Sequence, residues 1–213
     1  MTIGPLITDS VARWTDLAIN ELWDNELVQK IPFLGEAVSA VRLSLGISER
    51  IFLNKVQRFV EQAGDLSEEE KEKIAEELEE EKKSRLKWGE AVLTVIDQSD
   101  SSVKIDYVAW AVVAFARGDL SAQELRELCH AINVTQIDKL VAFAENSPLS
   151  KEDELVHTGL VESSLPPTPT TSGAVRVRPK YKPTRLGRLL RGIVKRVKAE
   201  QVLRGGVSPG DSK

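Results

Sequence analysis

Residues 103–116, Val-Lys-Ile-Asp-Tyr-Val-Ala-Trp-Ala-Val-Val-Ala-Phe-Ala, place apolar side chains nearly all the way round a helix. A helix without a polar face must be enclosed by others, so this stretch belongs at the centre of a bundle. Its valines would also suit a buried strand, but four alanines and a length beyond ten residues favour helix. Helices able to enclose it precede it. Residues 9–29 repeat Val11, Trp14, Leu17, Ala18, Leu22 and Trp23 at three- and four-residue spacing, and Pro32 ends that pattern. A second apolar face, Leu34, Val38, Val41, Leu45, Phe52, Val56, Phe59 and Val60, runs over residues 33–63, where Gly46 is placed to split one helix into two.

Ser67 with Glu70 has capping-box spacing and opens a charged helical stretch over residues 68–87. Glu69 with Lys73, Glu79 with Lys83 and Glu81 with Arg85 stand four apart, acid first, each contributing about 0.2–0.5 kcal/mol on an exposed helix. Only Ile74 and Leu78 form an apolar stripe, continued by Trp88, Val92, Val95 and Ile96. Ser121 with Glu124 repeats the capping box before a helix at 122–132. Thr135 with Asp138 predicts the start of another at 136–144, and Ser150 that of a short acidic turn at 151–156. The fold class is therefore mainly α, a helical bundle over residues 1–149.

The pattern changes after His157. Residues 159–164 are strand-like, 165–173 are rich in Pro, Thr and Ser, and Val175 and Val177 alternate with Arg176 and Arg178, which together predict a small β-hairpin. Thr184 then caps an amphipathic helix whose stripe is Leu186, Leu189, Leu190, Ile193, Val194 and Val197. Hairpin and helix make a second region, 150–204, and residues 205–213 are expected to be disordered. Charge divides along a similar line. Residues 166–213 hold 12 Lys/Arg against 2 Asp/Glu, while residues 1–165 hold 17 against 31, so the net charge of −4 hides a tail of +10 on a body of −14. Such asymmetry points to a contact made by the tail.

The run Thr158-Gly159-Leu160-Val161-Glu162, followed by Tyr181-Lys182-Pro183-Thr184-Arg185-Leu186-Gly187-Arg188-Leu189, resembles the closing part of a bacterial winged-helix domain of the MarR- and PadR-like regulators. Gly159, Leu160, Val161, Tyr181, Thr184 and Gly187 match, and Pro183 replaces a Leu. The resemblance implies a wing and a last helix, with a DNA-reading helix before the Gly-Leu-Val strand. Here Ser150-Lys151-Glu152-Asp153-Glu154-Leu155 holds that place, and its net negative charge is repelled by phosphate. That leaves Arg176, Arg178 and Lys180 as phosphate contacts. Residues 31–35 and 48–53 are also similar to uncharacterised helical proteins of bacteria and their mobile elements, which implies a bacterial or phage regulatory or defence context.

Enzyme motifs are missing: the sequence has no Gly-rich phosphate loop, no His-x-x-x-His or Cys-x-x-Cys pair and no nucleophile elbow. Adjacent Cys129 and His130 project about 100° apart on a helix and make a poor catalytic pair. His157 reads as a cation at a helix C-terminus, and Trp14, Trp23, Trp88 and Trp110 as core residues. The expectation is a non-enzymatic binding protein with no cofactor, metal or small-molecule substrate. A single cysteine and no secretory pattern place it in the cytoplasm.

The binding residues expected are Arg176, Arg178, Lys180, Lys182, Arg185, Arg188, Arg191, Lys195, Arg196 and Lys198, with Leu186, Leu189, Leu190, Ile193 and Val197 as a docking stripe. A protein partner or a second copy is the leading expectation. The alternatives are nucleic acid, contacted by wing and tail cations, and an anionic membrane surface under residues 184–204. Against all three stands a packing-only reading, in which the stripe covers the bundle and the cations stay in water.

Overall fold

The computed structural model describes residues 28, 31–42, 47–64, 66–83, 87–146, 155–164 and 179–205. Among them are eight helices and one two-stranded antiparallel ladder. Residues 9–27 and 29 of the helix read at 9–29, residues 151–154 of the acidic turn read at 151–156, Arg176, Arg178 and the tail from 206 onward lie outside the described residues. The chain forms two compact units, Met1–Arg126 and Glu127–Lys213.

In the first unit, α1 (Pro32–Arg42) begins at a proline, whose missing N–H costs nothing at the first helical position. Pro32 therefore starts a helix as well as stopping the preceding pattern; Leu34 and Gly35 donate back to the Ile31 carbonyl. A separate helix, α2 (Ile47–Ala63), follows, so residues 33–63 are two helices. After it come α3 (Glu68–Lys83), α4 (Trp88–Gln98) and α5 (Ser102–Ala116). The central position expected of 103–116 is observed: nearly every α5 residue is buried, and α2, α3 and α4 pack on it. Phe33, Trp88 and Phe115 stack through ring-centroid distances of 5.4 and 5.0 Å and tie α1, α4 and α5 together.

Two polar contacts brace these helices. Asp106 accepts two hydrogen bonds of 2.7 Å from Arg58, a bidentate pair that raises the Arg58 pKa chiefly through the hydrogen bond. Glu81 accepts a 3.0 Å hydrogen bond from the Gly89 N–H in the first turn of α4. Burial pushes the Glu81 carboxyl above its ordinary pKa, and that hydrogen bond pulls the other way.

Both capping boxes form reciprocally, Ser67 with Glu70 and Ser121 with Glu124. Among the described residues the ion pairs along α3 are three apart, Glu68–Lys71, Glu79–Lys82 and Glu80–Lys83, in place of Glu69–Lys73 and Glu79–Lys83, while Arg85, the expected partner of Glu81, lies outside them. Lys73 is drawn instead over the Phe115 ring, 6.0 Å from its centroid. α5 ends in a Schellman motif: Gly118 at φ 85° donates to Phe115, and Asp119 donates to Ala114.

α6 (Ala122–Val134) carries the chain into the second unit and is followed by α7 (Ile137–Ala144). Thr135 does not cap α7 as its spacing with Asp138 predicts. Its hydroxyl donates to the Ala131 carbonyl at 2.6 Å and closes α6, while Gln136 occupies the α7 N-cap without a side-chain bond. The ladder pairs β1 (Val161–Ser164) with β2 (Lys180–Pro183), matching Val161 to Pro183 and Glu162 to Lys182. α8 (Arg185–Gly205) follows and packs on α7 and β2. No helix among the described residues is long and apolar enough to cross a membrane.

Candidate interaction surface

Thr184 starts α8 and fixes its direction. Its hydroxyl accepts the Gly187 N–H at 3.1 Å, as an N-cap does, and donates to the Gly159 carbonyl at 2.7 Å; its N–H donates to Leu160. The residues that resemble a winged-helix closing segment thus meet one another. Gly159 turns at φ 76°, and Leu160 is buried. Gly187 lies so close that a Cβ there would stand 2.1 Å from the Leu160 carbonyl oxygen and 2.8 Å from Phe143 Cζ.

From this anchor the two sides of α8 diverge. Leu190, Ile193 and Val194 are buried, and Leu186, Leu189 and Val197 are half-buried. Much of the expected docking stripe is covered within the chain, and its burial belongs to the protein's own packing. The cations occupy the other side. Arg185, Arg188, Lys195, Arg196 and Lys198 are exposed, as are Lys180 and Lys182 on β2. Lys182 stands across the ladder from Glu162, so its charge is locally opposed, whereas Lys180 faces Ser164.

Arg191 differs from the other cations. It is half-buried, donates 2.9 Å from Nε to the Phe143 carbonyl and stacks on the Phe143 ring, 4.2 Å from its centroid. That carbonyl lies in the last turn of α7, where no further turn of helix supplies donors and a cation also complements the helix dipole. Asn146, at φ 58°, completes the same cap with a 3.1 Å bond to Phe143. Lys198 pairs with Glu145 about two turns further along α8 than Arg191, and Arg188 reaches the Pro183 carbonyl at 2.9 Å.

Between the end of α7 and α8 lies an open groove of about 490 Å³, walled by Glu145, Asn146, Arg191, Lys195 and Lys198. Gly192 lines it, with no atom within 4 Å of where its Cβ would be. Beyond the groove α8 continues with Val202 and Leu203, 74% and 76% exposed, the largest exposures among the described large apolar residues. The sequence pattern did not single these two out, because they fall outside the Leu186–Val197 repeat. Glu145 and Gly192 were missed for another reason: only the fold brings Glu145 to Lys198, and a glycine's role depends on what approaches it.

Cys129 is fully buried, its thiol pushed up to about 12 by burial, while His130 is exposed. Their side chains part company, as neighbours on a helix do. Among the described residues no three or more His, Cys, Asp or Glu side chains gather in a metal-binding arrangement. No protein-family model, curated protein or solved structure matches the chain, so geometry and charge carry the functional reading.

Proposed function

We propose that this protein acts by binding and not by catalysis, and that the outward side of α8, with β2 beside it, is a contact surface for an acidic protein. The observation that carries this reading is the division of α8 into a buried apolar stripe and an exposed basic side ending in Val202 and Leu203. A purely solvating surface gains nothing from two exposed branched apolar residues at its end, whereas a protein contact combines apolar anchors with charge. Nucleic acid fits the described residues less well. Lys182 is opposed by Glu162, Lys198 by Glu145, and Arg191 is engaged on Phe143. Phosphate and carboxylate alike compete with Glu145 and Phe143 there, and a protein partner alone adds apolar contacts to Val202 and Leu203.

The test is fluorescence anisotropy of the full chain with three labelled probes at equal ionic strength: an acidic helical peptide, duplex DNA and small anionic vesicles. The reading expects the peptide to bind, and Lys195→Glu with Arg196→Glu to weaken it at least tenfold. Binding to DNA or vesicles in preference to the peptide would refute it.

A further inference from the structure

On a helix, residues spaced alternately three and four apart lie along one ridge. Arg188, Arg191, Lys195 and Lys198 follow that 3-4-3 spacing on α8, and Val202 extends the ridge by four more. On α3, Glu69, Glu72, Glu76 and Glu79 repeat the same 3-4-3 spacing, and all four are exposed. The two ridges have equal length, about 15 Å at 1.5 Å per residue. Their charges nearly balance: α8 carries seven Lys/Arg and one Glu, net +6, while α3 carries nine Glu and four Lys, net −5. The lysines of α3 neutralise Glu79 alone of its ridge. Lys71, Lys82 and Lys83 go to Glu68, Glu79 and Glu80, which leaves Glu69, Glu72 and Glu76 without a cation among the described residues. On α8 Arg191 is engaged on Phe143 and Lys198 with Glu145, so the exposed Arg188 and Lys195 lead the contact.

We infer that the basic ridge of α8 docks on the acidic ridge of α3 in a second copy of the chain. This deepens the binding reading above and rests on it, naming the acidic partner as the protein itself. Each copy carries both ridges, so a closed pair makes the contact twice and an open arrangement builds a chain. Exposed ion pairs are individually weak and screened by salt, so self-association belongs to high protein concentration and low ionic strength.

Sedimentation velocity of the full chain tests this across a concentration series at low and high salt. Concentration-dependent association that weakens at least tenfold on raising salt is expected. An α8 reversal, Arg188→Glu with Lys195→Glu, and an α3 reversal, Glu72→Lys with Glu76→Lys, should each abolish it while circular dichroism stays unchanged. Mixing the two reversed chains should restore association, because every acidic ridge then meets a basic one, a rescue that general charge repulsion would not give. Wild-type chains that remain monomeric throughout would overturn the inference, as would reversals without effect or a mixture that fails to associate. If self-association is absent while the external acidic peptide still binds, only the second copy is wrong; if the peptide fails as well, the binding reading falls too.

Discussion

Gly187→Ala is the substitution on which the second unit should be most exacting. A methyl group at this position would stand 2.1 Å from the Leu160 carbonyl oxygen, 2.8 Å from Phe143 Cζ and 3.1 Å from the Leu160 carbonyl carbon. Two of those atoms are backbone and have no rotamer to escape into, so α8 itself must shift. The shift strains the bonds that hold its start: Thr184 to Leu160 at 3.0 Å, Thr184 to Gly159 at 2.7 Å and Gly187 to Thr184 at 3.1 Å. Overpacking costs about 1–3 kcal/mol. Weakening one or two hydrogen bonds adds about 1 kcal/mol each, for a total of about 2–5 kcal/mol. Gly192→Ala is the internal control. It sits in the same helix with nothing within 4 Å, and should stabilise by about 0.5–1 kcal/mol through helix propensity alone. Guanidinium unfolding followed by circular dichroism gives the stability change, and hydrogen exchange over residues 155–164 and 179–205 localises it. Tryptophan fluorescence would miss it, since all four tryptophans precede residue 127. Equal stability and unchanged exchange in Gly187→Ala would refute the close approach.

In the first unit, Asp106→Ala should cost about 1–3 kcal/mol, because Asp106 is 12% exposed while Arg58, at 40%, can turn back to water. A double-mutant cycle with Arg58→Ala, read by tryptophan fluorescence in urea, should show coupling near 1 kcal/mol; none would mean the bidentate pair is idle. Glu81 sets a pH dependence whose sign follows from its raised pKa. A carboxyl held above its unfolded value favours the protonated fold, so its contribution is least favourable at neutral pH and improves as pH falls through the folded pKa toward 4.5. Glu81→Gln keeps an acceptor for Gly89 and should stabilise at pH 7 more than at pH 4.5; the opposite order in denaturation midpoints would contradict this. Cys129 should react with a thiol reagent only as fast as the protein opens, and rapid labelling of the native chain would show that the site is not closed.

Features that depend on neighbours in sequence were legible there. The two Ser-x-x-Glu boxes, the apolar α5 and the N-cap at Thr184 need only a few adjacent residues, and each is found in the fold. Thr135 shows the limit even of local reading. Its hydroxyl could serve either the helix ahead or the helix behind, and the buried Ala131 carbonyl took it. The expected Glu69–Lys73 pair is replaced by a contact of Lys73 with the Phe115 ring, which comes from another helix. What the sequence did not disclose is non-local. β2 is pinned from the end remote from the connecting segment, where the Thr184 N–H donates to Leu160 and holds Pro183 across from Val161, so the valine alternation at 175–177 does not set the described register. The cations of the candidate surface were identifiable by type, but which of them are engaged depends on Phe143, Glu145 and Pro183, all brought near by folding.

The Lys198–Glu145 pair gives the α8 surface a built-in rival. Glu145 is tethered beside Lys198 by the fold, at an effective concentration on the order of millimolar or more. An incoming carboxylate at Lys198 does not fill a vacancy; it exchanges with a ligand the chain already supplies. Affinity at that position is therefore a difference between two ion pairs, while Lys195, for which no partner is found among the described residues, offers the full value of one. The ridge is graded, with its easiest point of first contact at Lys195.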